Sequence, residues 1–127
     1  HRRRGDVGAA CRAHGEALAL FREMGDRVRV AEALGSLSID ERERGDLALA
    51  LRYADEGIAV ASDLGSRAAE AEGHFLRAET LRRQGREPEA ATALQRAAEL
   101  AAGNHQELLA KNGFYTYLYN VQYKELV

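Results

Sequence analysis

The recurrence of one pattern along this chain limits its fold more than any other feature. Gly5-Asp6, Gly45-Asp46 and Gly85-Arg86 stand forty residues apart. The landmarks between them keep step: Ala10, Ala50 and Ala90 align, as do Ala17, Gly57 and Ala97, and then Leu20, Val60 and Leu100. A second turn signal, Met24-Gly25-Asp26, returns as Leu64-Gly65-Ser66, followed by Ala31-Glu32-Ala33 and then Ala71-Glu72-Gly73. A fixed period of this length is the signature of stacked supersecondary units, none of which buries its apolar face alone.

Each unit holds two turns and two helical stretches. The glycines fall where a helix ends in a left-handed residue. Asp6, Asp26 and Asp46 follow them, where a carboxylate oxygen caps the next helix and complements its dipole. Between the caps Leu47, Ala50, Leu51, Ala54, Ile58 and Ala61 step by three and four, the helical interval. The single proline, Pro88, sits in the first turn of a helix, where its missing N–H costs nothing. Alternating strand patterns are weak, and Ala, Leu, Glu and Arg dominate. These signals predict an all-α chain of about six helices at roughly 7–24, 28–44, 47–64, 67–84, 87–102 and 105–125. Ala10, Ala17, Ala50, Gly57, Ala90 and Ala97 share a helix face and predict close helix–helix approach. The expected architecture is a right-handed superhelical stack of antiparallel helix hairpins.

The Gly-Asp turn, the Ala five residues after the Gly, and the Ala17-Leu18 pair together resemble the tetratricopeptide repeat over residues 5–102. The forty-residue step resembles a subclass with longer helices, found in actinobacterial multidomain transcriptional regulators and in animal scaffolds that bind extended peptides. Arg77 and His74 depart from the family pattern, which usually has apolar residues there. The resemblance implies an α-solenoid whose first helix in each hairpin lines a concave groove. It places Glu32, Gly35, Ile39, Arg42 and Glu43 in the groove from one unit, and Glu72, Phe75, Glu79, Arg82 and Arg83 from the next. Asn112, Tyr115, Tyr119, Gln122 and Tyr123 follow from the last. Arginines hold carboxylates through paired hydrogen bonds, and tyrosines supply contact area at little entropic cost.

Composition shifts near Gly103. All sixteen arginines precede it, while both lysines, Lys111 and Lys124, and all three asparagines follow it. Residues 103–123 resemble the tail of an ABC exporter nucleotide-binding domain, carried by Gly103, His105, Glu107, Leu108, Leu109, Gly113, Tyr115, Leu118, Tyr119 and Gln122. No GxxxxGK[ST] loop accompanies them, so ATP binding is not implied. The reading divides the chain into a repeat array, 1–103, and a compositionally foreign terminal helix, 104–127. That helix is expected to dock as the last of the array, with Phe114, Leu118 and Val121 inward. A chimera joined near 102–105 and a divergent capping helix both account for it.

Chemistry is sparse. His1, His14, His74 and His105 are widely spaced and form no metal-binding pattern. His14 and His74 read as satisfied packing histidines. Cys11 is a lone cysteine and reads as a small buried hydrophobe. Carboxylates read as surface pairs such as Glu41 with Arg44. With a net charge of -2, bulk electrostatics do not favour nucleic acid. No apolar run reaches the roughly 18 residues of a membrane span. The expectation is a cytoplasmic, non-catalytic scaffold without metal or cofactor, a piece of a larger bacterial regulator that binds a protein or peptide in its groove. Homo-oligomerisation through the helix ends is the alternative, as is a fusion whose tail caps the array or acts as a bound peptide. Deleting residues 104–127 tests the cap: the thermal midpoint should fall, and an unchanged midpoint refutes a capping role.

Overall fold

The computed structural model describes residues 4–102, which form five helices: α1 (Arg4–Met24), α2 (Arg27–Arg44), α3 (Leu47–Leu64), α4 (Arg67–Arg83) and α5 (Glu87–Ala102). Five are described where the sequence predicts about six. The sixth expected helix, 105–125, lies outside the described residues. So do the rest of the terminal unit and Tyr115, Tyr119 and Gln122 of the expected groove.

The connections set the topology. At the end of α2, Gly45 takes the left-handed conformation (φ 94°). Its N–H donates to the Arg42 carbonyl at 3.1 Å, and the Asp46 N–H donates to the Glu41 carbonyl at 2.9 Å. These two bonds close the last turn and satisfy carbonyls that would otherwise be orphaned. The Asp46 side chain then accepts from the Leu49 N–H at 3.1 Å, capping α3. The same turn recurs at Gly25-Asp26 and at Gly65-Ser66, with Ser66 accepting from the Ala69 N–H. Gly85 repeats the glycine geometry (φ 80°), but Arg86 follows it and instead bonds Glu89. Two-residue links leave a helix no choice but to return beside its predecessor, and the five helices pack antiparallel, each on the next. Gly5 and Asp6 depart from expectation. They lie within the first turns of α1, so no turn is made there. The turn thus returns every twenty residues from Gly25 onward, twice per repeat unit.

Interior helices bury two sides. In α3, Ala50, Ala54 and Ala61 are fully enclosed. Tyr53 and Val60 lean on a cluster of Leu18, Val30, Ala33, Leu34 and Leu37, while Leu51 leans on the cluster shared by α4 and α5. Small side chains permit this approach. A Cβ on Gly57 would lie 3.6 Å from the Leu34 Cβ, an ordinary contact. A Cβ on Gly73 would meet the Ile58 Cγ1 at 2.6 Å, with Ile58 backbone atoms 3.5 Å away. His14, expected as a satisfied packing histidine, has Asp40 as its partner, and Cys11 is buried as expected. The departures at Arg77 and His74 are accommodated by polar partners: Arg77 reaches Asp55 on α3 at 2.5 Å, and His74 lies 3.9 Å from Glu70.

The two glycines should respond oppositely to alanine. Helix propensity favours alanine by about 0.8–1.0 kcal/mol at both sites. At Gly57 that gain should appear as a neutral or raised thermal midpoint. At Gly73 overpacking against Ile58 costs about 1–3 kcal/mol, so Gly73→Ala should lower the midpoint. Paired thermal melts check both, and equal responses would contradict the close approach.

Candidate binding groove

α2 and α4 run parallel, one hairpin apart, and touch across the face of α3. Their meeting point is small on one side and apolar on the other: a Cβ on Gly35 would lie 3.6 Å from the Leu76 Cδ1 and 3.9 Å from Glu72 Oε1. Around it opens a cavity of about 290 Å3, with rims formed by Glu32 and Glu72 and a floor of Tyr53, Ala54 and Gly57 from α3. The stripe 32-35-39-42 on α2 therefore faces the stripe 72-76-79-83 on α4, each stepping by three or four residues.

At the C-terminal end of this seam charges of both signs meet. Arg42 faces Arg83 and Glu79 of α4, with Glu43 beside it. Burial, then the like charge of Arg83, pull the Arg42 guanidinium below its ordinary range, while Glu79 and Glu43 pull it back. The Arg42 Nε is buried without a hydrogen-bond partner. Among the described residues, no ion pair within 4 Å joins Arg42 or Arg83 to a carboxylate.

The structure thus brings Glu32, Arg42, Glu72, Glu79 and Arg83 of the expected groove onto one seam, with half-buried Ile39 on the α2 stripe. Two expected residues serve elsewhere. Phe75 packs into the α4–α5 core, because it follows Ala71 and precedes Ala78 on the face that meets α5. Arg82 extends over the next turn, where its Nε lies 3.9 Å from Glu87.

Two other polar regions differ in how their charges are met. A broad depression of about 680 Å3 on α4 and α5 includes His74, Arg77, Glu89, Arg96 and Glu99. Its charges are internally paired: Arg77 with Asp55, Arg86 with Glu89, and Arg96 with both Glu70 and Glu99 at 3.9 Å. Burial lowers the His74 pKa and Glu70 opposes it, so the ring is held toward its neutral form. The second region lies between α1 and α2. His14 Nδ1 lies 2.5 Å from Asp40 Oδ2, the Cys11 thiol donates to Glu41 at 3.1 Å, and Arg44 reaches both Cys11 and Glu41.

Glu41 and Arg44 were expected as a surface pair. Glu41 is instead buried, because its side chain turns inward to the Cys11 thiol. Sequence reasoning also missed the burial of Asp40; the signal that could have found it is His14 on the facing helix. Burial raises the Cys11 pKa against the opposing hydrogen bond from Arg44, which keeps the thiol protonated and a poor nucleophile. Among the described residues no group of three or more His, Cys, Asp or Glu side chains is placed to hold a metal, and no helix is long and apolar enough to cross a membrane. Comparison with models of protein families, with curated proteins and with solved structures finds no match to this chain.

An unpaired, partly desolvated guanidinium beside another is a stability cost. Arg42→Met, which keeps the packing stem and removes the charge, should raise the thermal midpoint by the equivalent of about 1 kcal/mol. A fall would show that Arg42 is compensated within the fold.

Proposed function

We propose that this chain is a non-catalytic scaffold of the tetratricopeptide kind, an α-solenoid that binds a segment of a protein or peptide along the α2–α4 groove. The observation that carries this reading is the Arg42 Nε, buried without a partner beside a second arginine. A fold keeps an uncompensated buried donor at a cost, and a ligand acceptor would remove that cost. Gly35 and Gly57 line the cavity without side chains of their own, and the exposed Glu32 stands on its rim. Placement in the cytoplasm, as part of a larger bacterial regulator, follows from the repeat resemblance and belongs to the same proposal.

Self-association is favoured by a different observation. Leu20 on α1 is 53% exposed, although its equivalent one unit later, Val60, packs against a core cluster. Met24 and Val28 are exposed as well. Concentration-dependent mass in sedimentation, abolished by Leu20→Glu, supports that reading.

The groove is tested by selecting short peptides from a random display library on the 127-residue chain. Selected peptides should lose about tenfold in affinity, roughly 1.4 kcal/mol, on the Arg42→Gln, Arg83→Gln double variant, with no fall in its thermal midpoint. Equal binding to both proteins, or no selected peptide, sinks the groove.

A further inference from the structure

The forty-residue period makes α1 and α3 equivalent helices, but among the described residues α3 packs on both α2 and α4, whereas α1 packs on α2. The face that α3 turns to α2 is defined by specific contacts. A Cβ on Gly57 would lie 3.6 Å from the Leu34 Cβ. The Ser38 hydroxyl donates to the Ala50 carbonyl at 2.8 Å, and Arg27 reaches Asp63 at 3.2 Å. These contacts run in antiparallel register, with Arg27, Leu34 and Ser38 at intervals of seven and four on α2. Tyr53 and Val60 pack on the cluster that includes Leu34. A second arginine, Arg22, pairs with Glu56, seven residues before Asp63 and so on the same flank. One unit earlier the equivalents of Ala50, Tyr53, Gly57 and Val60 are Ala10, Ala13, Ala17 and Leu20. They are left open: Ala13 is exposed, Ala10 and Ala17 are half-buried, and Leu20 is 53% exposed. Glu16 and Glu23 stand where Glu56 and Asp63 stand on α3, and among the described residues neither has an ion pair within 4 Å.

We infer that this face of α1 docks an amphipathic helix of a partner protein, antiparallel to α1, with an arginine opposite Glu23 and a leucine seven residues later opposite Ala17. The seam is built for a helix: Ala10, Ala13, Ala17, Leu20 and Met24 step by three and four along one side of α1. Ala17 is no obstacle to the leucine, because a Cβ at the equivalent Gly57 makes only an ordinary contact with Leu34. The two acidic flank positions set the sign of the partner's charge, and on α3 arginines answer both. Ala13 adds a size requirement. On α3 the Tyr53 ring fills the space beside Gly35 and Ser36. With only a methyl group at Ala13, the partner must supply the bulk itself, at the residue after its leucine, where α2 has Gly35. A second copy of this chain has no free helix of this kind among the described residues. Its α2 spends Arg27, Leu34 and Ser38 on its own α3. Its α4 has His74 in place of the leucine, and Ala78 in place of Ser38 is buried in the α4–α5 core.

No side chain of α1 belongs to the α2–α4 groove, so this inference stands or falls independently of it. The probe is an acetylated, amidated peptide with the sequence of residues 26–45 and the change Gly35→Leu, titrated into the isotope-labelled full chain. Backbone amide shifts should appear at Ala13, Ala17, Leu20 and Glu23. They should be lost on the Leu20→Glu protein, whose exposed substitution leaves the fold intact. The peptide without Gly35→Leu should bind more weakly. Arg27→Glu in the peptide should weaken binding about threefold, as expected for an exposed ion pair, and Glu23→Arg in the protein should restore it. Absence of shifts on α1, or a charge reversal that Glu23→Arg does not restore, overturns the inference. So do shifts centred on Gly57, which would show the peptide exchanging with α2. Concentration-dependent mass of the chain alone, abolished by Leu20→Glu, would assign the face to a second copy and equally overturn it.

Discussion

The structure depends on how closely α3 lies against both its neighbours. Ala50, Ala54 and Ala61 have essentially no exposed surface, and Gly57 and Gly73 mark contacts that leave little or no room for a side chain. Close approach of this kind gains dispersion contacts along the whole helix length and tolerates few added atoms. Everything else follows from that distance. With α3 wedged against both partners, α2 and α4 are brought within reach of each other. A leucine at position 57 or 73 would push the neighbouring helices apart and with them the two walls of the groove.

The turns make the arrangement directional. Because each link spans two or three residues and each helix between Arg27 and Leu64 is 18 residues long, alternate helices start at the same level. Side chains at corresponding turns of α2 and α4 therefore meet at the same height. The last turns of α2 and α4 both carry arginines, Arg42 and Arg44 on one and Arg82 and Arg83 on the other, which complement the helix dipoles. Internal pairing then distinguishes the faces: the depression on α4 and α5 meets its charges from within the fold, and the buried Arg42 Nε has no such partner.

Much of this was legible in the residues. The helix boundaries follow from Gly25, Gly45, Gly65 and Gly85, whose backbone conformation few other residues adopt without strain, and from Asp26, Asp46 and Ser66 behind them. Gly5-Asp6 misled because the dipeptide is identical, yet a glycine in a first turn needs no special backbone and costs only propensity. The groove stripe was legible for Glu32, Arg42, Glu72, Glu79 and Arg83, which share a helix face by spacing alone. Phase within a helix could not place Phe75 or Arg82, because their positions border two faces and their neighbours on α5 decided between them. The inward turn of Asp40 and Glu41 was hidden for a related reason. Two adjacent carboxylates beside arginines look solvated until the facing helix supplies His14 and Cys11.

Those four side chains bear on a hazard particular to repeating chains, the pairing of a helix with the wrong copy of its neighbour. One unit later, Cys11 becomes Leu51, His14 becomes Ala54, Asp40 becomes Thr80 and Glu41 becomes Leu81. An α1 stacked by mistake on α4 would set its imidazole and thiol against a threonine and a leucine. The two carboxylates of α2, stacked on α3 in place of α1, would be enclosed by Leu51 and Ala54 with no donor. Buried charge without a partner is among the costliest errors a chain can make. The polar contact between the first two helices thus acts as an address: it distinguishes hairpins that the apolar pattern makes nearly interchangeable, and so counts the repeats from one end.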